Sequence, residues 1–538
     1  MTSFVQEALA VHPQRVGWAS RLGVFMAGAC HALALSPMVA AWGSWCPALL
    51  QSLALSGLLW VLAPFRTPRQ VAGLTWLYGT VWLLGATGWM YVSLHTYGGL
   101  PFWLAGAAVG LLCMALSAYM ALLGWVWARW RMGVWWRDAL AWAGLWLVVE
   151  WARAIVLTGF PWGASGYGLV DSPLVVLAPW VGVYGMGAIW ACLLALVVWS
   201  WRREEALAVR GMGLGLASLA VLGCGVLRQF PAAVDFTRPH GGPLSVSLLQ
   251  GNVPQDEKFR EDRQVPMLIW HGQNLLASRS DLVIAPETAI PLLPSQLPPD
   301  YWAQVQAGFG ESTGRAALIG IPLGDFQRGY TNSVVGVGPG HPAPDPESPR
   351  AYQYSKHHLV PFGEFIPWGF HWFVRMMNMP LGDFRRGPLV APSFEVKGQR
   401  VAPTICYEDL FGEEIAARFT EAGRAPTILA NVSNLAWFGE SVAIHQHLQI
   451  ARMRSLEFQL PTLRATNTGA TVLIDHQGRV ASSLAPNTRD VLHTVVQGRE
   501  GVTPFAWWAG RWGLWPALLA GLLCAVLGAG SRRARPAH

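Results

Sequence analysis

The sequence predicts a polytopic α-helical membrane domain of eight spans joined to an extracytoplasmic α/β domain. Three observations support this fold class. Charged residues make up only 13% of the 538 residues, hydrophobic residues make up 53%, and there are 30 tryptophans, a composition typical of polytopic membrane proteins. Long apolar stretches fill the N-terminal part and recur near the C-terminus. Between them lies a long segment that holds most of the Asp, Glu and His residues.

The candidate spans are apolar stretches long enough to cross a hydrocarbon core of about 30 Å. They cover residues 18–36, 41–64, 70–94, 100–128, 136–157, 175–201 and 207–228, and the last lies near 508–530. The first span resembles a signal peptide but lacks a small-x-small cleavage site, so we expect it to be retained. We therefore predict three parts: 1–228 with seven helices, 229–507 as the α/β domain, and 508–538 as a final helix with a basic tail.

Arginine residues are unevenly distributed among the short loops, and this predicts the topology. The loops around 37–40, 95–99 and 158–174 contain no Lys or Arg, whereas the alternate loops and the tail are basic. The basic positions are Arg66, Arg69, Arg129, Arg131, Arg137, Arg202, Arg203, Arg210, Arg532, Arg533 and Arg535. Because cytoplasmic loops are enriched in Lys and Arg, we predict cytoplasmic termini and residues 229–507 on the opposite side. This pattern accounts for the net charge of +7, so we expect no nucleic-acid partner.

Residues 229–507 alternate short β-rich runs with amphipathic helical stretches. The runs "LSVSLLQ", "DLVIAPE", "AALIGIPL", "TNSVVGVG", "VAPTICYE", "APTILANVSN" and "TVLIDHQG" are typical of strands. The stretch "HQHLQIARMRSLEFQ" at 445–459 has helical periodicity. Strands that alternate with helices over this length predict an α/β domain.

Three of these segments carry residues suited to nucleophilic catalysis. "DLVIAPETAIP" places Glu287 after a proline, "YSKHHLVPFGEFIP" contains Lys356 and Glu364, and "VAPTICYEDLF" contains Cys406. Strand ends are where α/β folds present catalytic side chains. Cys406 is the only one of the seven cysteines outside the predicted spans, so we predict a free thiol. A carboxylate could take its proton, and an ammonium could stabilise the thiolate and an oxyanion.

Each of these residues alone also fits a structural role, as a cap, a solvated lysine or a buried inert thiol. His357 and His358 suggest a Cys–His dyad as an alternative, although consecutive strand residues face opposite ways. His445 and His447 lack Cys or acidic partners at ligand spacing, so we expect no metal and no cofactor. We interpret Asp409 as a structural cap.

The order Glu, Lys, Cys in these contexts resembles the nitrilase superfamily. Its fusion to a membrane region is similar to the apolipoprotein N-acyltransferase family, the membrane-embedded branch of that superfamily. The resemblance covers essentially the whole chain. It is carried by "LLQGNVPQ" (248–255), "APETAIP" (285–291), "YSKHHLVPFGE" (354–364), "TICYED" (404–409), "NVSNLAWFGES" (431–441), "HLQIARMRSLE" (447–457), "LRATNTGAT" (463–471), "EWAR" (150–153) and "GFPWGASGYG" (159–168).

The resemblance implies an αββα sandwich for 229–507, located in the periplasm and attached to the bacterial inner membrane. It also implies a ping-pong acyl transfer that needs no cofactor. Cys406 would take an acyl chain from a phospholipid as a thioester. The α-amino group of the N-terminal diacylglyceryl-cysteine of an apolipoprotein would then accept the chain as an amide.

The resemblance assigns a role to each of the other site residues. Glu287 would be the general base and then the acid that protonates the departing lysophospholipid. Lys356 would stabilise the oxyanion together with a backbone N–H near Tyr407. Glu364 and Glu408 would be supporting carboxylates that orient Lys356.

Three positions depart from the family pattern. Phe259 and Ala285 stand where tryptophan is usual, and Leu435 stands where an aspartate is usual. Leucine cannot make the hydrogen bonds of a carboxylate, so Leu435 cannot fill a role that depends on them.

The membrane half contains two further features. Glu150 and Arg153 are three residues apart, so they share one helix face and could form an ion pair. That pair would either brace the bundle or contact a lipid headgroup. Loop 159–168 would be either part of a lipid entrance or a plain interfacial aromatic belt.

Two rival functions use the same features. A membrane-tethered carbon–nitrogen hydrolase, an amidase or nitrilase, would use the same three residues with water as acceptor. A transporter with an extracytoplasmic binding domain would need polar residues along its spans. The predicted spans carry few ionisable residues beyond Glu150 and Arg153, which argues against transport.

Overall fold

The computed structural model describes residues 16–529 except 66, 202–205, 231–232, 326, 328, 344–350, 371, 373–383 and 422. Several arginines used for the topology prediction lie outside the described residues: Arg66, Arg202, Arg203, Arg532, Arg533 and Arg535. The predicted basic tail is therefore not part of the structural description.

The N-terminal part is a bundle of apolar helices. They are α1 (Trp18–Ala34), α2 (Pro37–Ala40), α3 (Cys46–Leu62), α4 (Pro68–Thr87), α5 (Met90–Val92), α6 (Phe102–Leu116), α7 (Ala118–Trp130), α8 (Trp135–Ile155), α9 (Ala178–Ser200) and α10 (Leu207–Gln229). A π-turn follows α5 at Ser93–Tyr97, and 3₁₀ turns lie at Val156–Thr158, Ser165–Leu169 and Pro173–Leu177.

Four helices of the described chain are long and apolar enough to cross a membrane, or five if one bent pair is a single span. The four are Phe102–Trp130, Trp135–Thr158, Pro173–Ser200 and Leu207–Gln229. The other predicted N-terminal spans also contain helices, α1, α3 and α4, but these do not pass that test. The eight-span topology therefore stays a prediction.

The last predicted span, 508–530, differs from a single straight helix. It is divided between α15 (Pro504–Trp512) and α16 (Trp515–Ala529), which are bent by 99°. The break falls at Gly513, whose φ of 56° lies in the left-handed region that ends a right-handed helix. Residues 508–512 thus belong to a separate helix.

The two ends of the bundle have different neighbours. At one end, Arg137 donates to the main-chain oxygen of Leu527 (3.1 Å) and Arg131 donates to that of Phe65. At the other end, Ser93 donates to the main-chain oxygen of Trp437 in the α/β domain (2.7 Å). The loop that carries Arg131 and Arg137 and the α/β domain therefore lie at opposite ends of the bundle.

Two six-stranded sheets form the α/β domain. The first has the order β13-β2-β3-β4-β5-β6 and the second β12-β11-β10-β9-β8-β7, while β1 pairs with β14. Strands β2, β3 and β4 run parallel in the first sheet, as do β8, β9 and β10 in the second. The strands are β1 (Thr237–Pro239), β2 (Leu244–Gln250), β3 (Leu282–Ile284), β4 (Ala316–Asp325), β5 (Gly329–Val337), β6 (Tyr352–Ser355), β7 (Phe394–Val396), β8 (Gln399–Ile405), β9 (Ile428–Ser433), β10 (Thr462–Thr466), β11 (Val472–Ile474), β12 (Val480–Ser483), β13 (Asp490–Val496) and β14 (Arg499–Gly501).

The sheets pack face to face and helices cover their outer faces. Val246 and Ile284 of the first sheet share one buried cluster with Val432 and Leu463 of the second. Helices α11 (Glu261–Ala277) and α12 (Tyr301–Gly308) cover the first sheet, and α13 (Gly412–Ala416), α14 (Ala443–Phe458) and α15 cover the second. This arrangement confirms the αββα sandwich, and it places the ends of β3, β6 and β8 near one another.

Candidate active site

Cys406 lies in a sharp turn directly after β8. Its φ of 51° is in the left-handed region, which is uncommon for a residue with a side chain and often marks a functional site. The main-chain oxygen of Cys406 accepts hydrogen bonds from His447 Nε2 (3.2 Å) and Asn431 Nδ2 (3.5 Å). These two donors hold the strained turn in place, with the thiol buried at the strand end.

Glu287 follows β3 and its carboxylate is held at both oxygens. Oε1 accepts from Asn332 Nδ2 (2.7 Å), and Oε2 accepts from the backbone N–H of Asn434 (2.7 Å). Burial raises the pKa of Glu287, and the neighbouring charge of Lys356 opposes that rise. A buried carboxylate of this kind is suited to general base catalysis.

Lys356 directly follows β6 and is 1% exposed. Its Nζ lies 2.9 Å and 2.8 Å from the two carboxylate oxygens of Glu364 and 3.8 Å from Oε1 of Glu287. Burial disfavours the ammonium, but the carboxylates of Glu364 and Glu287 outweigh it and raise the pKa of Lys356 above its usual range. The site therefore favours the charged form of Lys356.

The charges of Glu287, Lys356 and Glu364 act on the buried Cys406 thiol. Burial, with the negative charge of Glu287, raises the pKa of the thiol to about 12, and Lys356 opposes the rise. The resting sulfur is therefore protonated, so it becomes a nucleophile only when a base takes its proton. The structure thus brings the three residues predicted from the strand ends into one buried site.

The two predicted supporting carboxylates have different partners. Glu364 binds the ammonium of Lys356 directly, whereas Glu408 does not contact that ammonium. Glu408 instead accepts four hydrogen bonds of 2.6 to 3.2 Å, from the backbone N–H groups of Ile405, His357 and His358 and from the hydroxyl of Tyr354. It joins the segment after β6 to the turn that carries Cys406, because both present unpaired N–H groups there.

Tyr407 connects the turn that carries Cys406 to the helical bundle. Its hydroxyl donates to the main-chain oxygen of Gly159 (3.1 Å), the first residue of loop 159–168. That loop is in turn held by α8: Glu150 accepts from the backbone N–H (2.9 Å) and hydroxyl (2.7 Å) of Ser165.

Arg153 completes this anchoring, since it donates to the main-chain oxygen of Trp162 at 2.7 Å. The predicted direct ion pair between Glu150 and Arg153 is therefore wrong. The loop packs over their shared helix face and offers closer hydrogen-bonding groups to each. Their observed contacts brace the structure, which agrees with the structural interpretation of the pair.

Asp409 is not a simple cap. Its Oδ2 forms a buried ion pair with Arg464 Nη1 (3.1 Å), and burial raises the pKa of Asp409 to about 6 against the charge of Arg464. Arg464 Nη2 donates to Nδ1 of His447 (2.8 Å), so the proton of that neutral ring lies on Nε2. Nε2 can then donate to the Cys406 oxygen.

Sequence reasoning missed Asn332, Asn434 and Arg464. Each lies in a segment recognised as a strand or family motif; Arg464 stands between Leu463 and Ala465, and each asparagine is a polar residue in a predicted strand. That unusual pattern was the available signal, because a polar side chain buried in a sheet needs a partner.

The two histidines after Lys356 do not form a dyad with Cys406. Nδ1 of His357 contacts the main-chain oxygen of Gly387 (2.8 Å), and Nδ1 of His358 contacts Glu414 (2.8 Å). Both rings therefore have other partners.

The three departures from the family pattern lie in different surroundings. Phe259 is 52% exposed, Ala285 is buried after β3, and Leu435 is buried in the core between the sheets. An apolar residue is thus compatible with the buried surroundings of position 435.

Comparison with known proteins covers both halves of the chain. Residues 27–225 match the family model described as Apolipoprotein N-acyltransferase N-terminal domain, and residues 246–501 match the model described as Carbon-nitrogen hydrolase. A protein named Apolipoprotein N-acyltransferase from Ralstonia nicotianae (strain ATCC BAA-1114 / GMI1000) is 45% identical over 99% of this chain and 97% of its own length. The chain belongs to the apolipoprotein N-acyltransferase family.

Two other relatives carry the same name. The one from Verminephrobacter eiseniae (strain EF01-2) is 46% identical over 86% of this chain and 88% of its own length. The one from Bordetella bronchiseptica (strain ATCC BAA-588 / NCTC 13252 / RB50) is 40% identical over 95% of this chain and 96% of its own length. In this member of the apolipoprotein N-acyltransferase family, the residues around Cys406 thus lie within the carbon–nitrogen hydrolase part, which has the nitrilase-like fold.

Proposed function

We propose that this chain transfers an acyl chain from a phospholipid to the α-amino group of the N-terminal diacylglyceryl-cysteine of apolipoproteins. Cys406 is the nucleophile, Glu287 the general base and acid, and Lys356 the oxyanion-stabilising cation. One observation carries the proposal: the ammonium of Lys356 lies 3.8 Å from the Glu287 carboxylate, and both follow strands that end at the site of the buried Cys406 thiol, beside a helical bundle. The family membership supports the choice of substrates.

In the first half-reaction, Glu287 takes the thiol proton as the sulfur attacks the ester carbonyl of the phospholipid. The tetrahedral oxyanion is stabilised by Lys356 and by the backbone N–H of Tyr407. When the intermediate collapses, the C–O bond of the ester breaks and protonated Glu287 gives its proton to the leaving lysophospholipid. The acyl chain is now a thioester on Cys406.

In the second half-reaction, the neutral α-amino group of the acceptor attacks the thioester. Glu287 takes a proton from the attacking nitrogen, and Lys356 again stabilises the oxyanion. Collapse breaks the C–S bond, forms the amide and returns the proton to the sulfur. The bonds and protons balance without a further reactant, because the ester supplies the acyl group in an activated form.

Aromatic residues between the bundle and the site support entry of lipid from the bundle side. The rings of Trp89 and Phe438 lie 4.3 Å apart, and those of Trp89 and Trp162 lie 4.7 Å apart. The ring of Trp162 lies 5.6 Å from that of His447, the residue that donates to the Cys406 oxygen. Tryptophan side chains favour membrane interfaces, so this cluster is suited to the boundary between acyl chain and headgroup.

We also propose that the bundle spans the bacterial inner membrane eight times, with both termini in the cytoplasm and the sandwich in the periplasm. The segregation of arginines to alternate loops supports this orientation.

The test uses the purified full-length protein with phospholipid micelles and a synthetic diacylated lipopeptide that has a free α-amino group. We expect equal amounts of lysophospholipid and N-acylated peptide. Without the acceptor, mass spectrometry should find one acyl chain on the Cys406 peptide, and Cys406→Ala should carry none. Free fatty acid as the main product, without peptide acylation, would contradict the proposal and favour the hydrolase alternative.

Replacing Asn332 by Leu should slow acyl-enzyme formation by about 10- to 100-fold. Asn332 Nδ2 donates to both Glu287 Oε1 (2.7 Å) and Glu364 Oε1 (2.8 Å), so its loss leaves two buried carboxylates short of a donor. The pKa of Glu287 should then rise further, and the acidic limb of the pH–rate profile should move to higher pH. Single-turnover mass spectrometry across pH measures both effects.

Asn434→Ala serves as the comparison for this prediction, because the donor to Glu287 Oε2 is a backbone N–H that the substitution keeps. The Asn434→Ala acidic limb should stay nearer to the wild-type position. An unchanged limb in Asn332→Leu would refute the assigned role of Asn332.

A further inference from the structure

Lysine is rare in this chain, yet two of its three lysines converge on Glu287. Only Lys258, Lys356 and Lys397 occur among 38 lysines and arginines. Lys258 is 2% exposed, and its Nζ donates to the main-chain oxygen of Glu287 at 3.0 Å. Lys397 is exposed and pairs with Asp281. The catalytic centre described above therefore contains a second buried ammonium, to which the mechanism so far assigns no role.

The two buried lysines differ in how their charge is balanced. Lys356 faces both oxygens of Glu364 at 2.9 and 2.8 Å, so its ammonium is paired directly with a carboxylate. The hydrogen bond of Lys258 goes to an uncharged carbonyl, and within the described part of the chain no carboxylate lies within ion-pair distance of it. Its charge therefore acts through space on Glu287 and Cys406.

The loop that carries Lys258 also supports the side-chain carboxylate of Glu287. Gln255 accepts from Asn434 Nδ2 at 2.8 Å, and the backbone N–H of Asn434 donates to Glu287 Oε2 at 2.7 Å. The next residue after the base, Thr288, has a φ of 51° in the left-handed region. A strained turn keeps its conformation only when its surroundings restrain it, and Lys258 binds the carbonyl at that turn.

We propose that Lys258 is a positioning residue for the base: it holds the main chain of Glu287 and places a second cation beside the carboxylate. This inference rests on the proposed function, since the reaction defines Glu287 as the base. A lysine suits the role because a compact ammonium can sit in a closed space and donate to one carbonyl. An arginine would need more room and more acceptors.

The charge balance around the base gives the sign of the effect. The groups that act on Lys258 or Glu287 are Lys356, Glu364, Cys406 and, beside Lys258, the neutral ring of His271. Burial raises the pKa of Glu287, whereas the charges of Lys356 and Lys258 lower it. Loss of the Lys258 charge should therefore raise the pKa of Glu287, so the active ionised form appears only at higher pH.

The pKa of Lys258 itself is lowered to about 8, first by burial and against the attraction of Glu287. Lys258 thus carries its charge at neutral and acidic pH, where the base needs it. Above that range Lys258 itself loses its proton, so its effect on Glu287 should fade.

The test compares Lys258→Met with Lys258→Arg and with Lys397→Met, which removes the exposed lysine. Formation of the Cys406 thioester from phospholipid is followed by single-turnover mass spectrometry between about pH 5 and 9, with no acceptor present. We expect the acidic limb of Lys258→Met to move up by about one pH unit. Its deficit should be about tenfold at acidic pH and smaller above about pH 8.

The controls separate charge from structure. Lys258→Arg keeps the charge, so its acidic limb should stay near the wild-type position even where the larger guanidinium slows the reaction. Lys397→Met should match the wild type throughout. If Lys258→Met does not fold, Lys258→Gln keeps a donor without the charge and should show the same shifted limb.

An acidic limb of Lys258→Met or Lys258→Gln that coincides with the wild-type limb would overturn the inference, whatever the size of the rate loss. That outcome differs from failure of the proposed function. If the wild-type protein forms no thioester on Cys406, the proposed reaction is wrong. If it forms one and only the limb is unmoved, the role of Lys258 alone is refuted.

Discussion

Cys406→Ser should lower acyl transfer to the lipopeptide by about four orders of magnitude while leaving the fold intact. The sulfur and oxygen side chains are similar in size, so the buried turn should accommodate serine. A hydroxyl is much harder to deprotonate than a thiol, so Glu287 should rarely generate the nucleophile. Any ester formed on the serine would also react more slowly with an amine than a thioester does.

Two measurements check this expectation. The rate of N-acylated peptide formation gives the overall loss, and thermal unfolding in detergent shows whether the variant is folded. Cys224→Ser, in α10 of the bundle, is the matched control and should retain activity. A Cys406→Ser protein with a tenth or more of the wild-type rate, by contrast, would show that the sulfur is not the acyl carrier.

Arg464→Met should destabilise the folded protein by about 3–5 kcal/mol near pH 8, the largest stability effect that we predict. Arg464 and Asp409 form an ion pair at 3.1 Å with side chains that are 0% and 4% exposed. Methionine fills part of the space but leaves the Asp409 carboxylate buried without its cation. His447 also loses the donor at Nδ1, so the hydrogen bond to the Cys406 oxygen is no longer secured.

The cost of Arg464→Met should fall as the pH is lowered. The folded-state pKa of Asp409 is raised to about 6, above its ordinary value of 3.8, so the folded protein binds this proton more tightly than the unfolded chain. Arg464 lowers this pKa, so in Arg464→Met the pKa of Asp409 should rise further. The electrostatic cost is complete only above that higher pKa and declines below it, until below about pH 6 the carboxyl is neutral in both proteins. Denaturant unfolding near pH 8 and pH 5 measures the difference.

Arg424→Met provides the control, because Arg424 pairs with Glu421 on the surface, where the side chains are 82% and 59% exposed. Such a pair contributes only about 0–1 kcal/mol. Equal costs for Arg464→Met at both pH values would contradict an ionised Asp409 as the cause.

The sequence alone was sufficient for the features that depend on local pattern. Apolar length predicts a helical bundle, alternating β-rich runs predict the sandwich, and a reactive residue after a β-rich run predicts Glu287, Lys356 and Cys406. Family motifs strengthened each of these interpretations. These features are encoded within a few residues of chain, so no knowledge of the packing is needed to see them.

Local sequence pattern could not predict which groups the buried polar side chains bind. Arg464 and Asp409 are 55 residues apart, and Lys258 is 29 residues from the carbonyl it binds. Helical spacing placed Glu150 and Arg153 on one helix face. Both side chains bind loop 159–168, which packs over that face, instead of each other. In each case the deciding group comes from a distant segment.

The sequence by itself determined the family of the protein, the combination of a helical bundle with a nitrilase-like domain and the identity of the three residues proposed for catalysis. Only the tertiary structure decided that Glu364 rather than Glu408 holds Lys356, that Asp409 is paired with Arg464, and that Lys258 supports Glu287. The physical reason is that a buried charge or N–H group must find a partner where the fold places one. The packing of two sheets against a helical bundle sets those positions, and sequence distance does not.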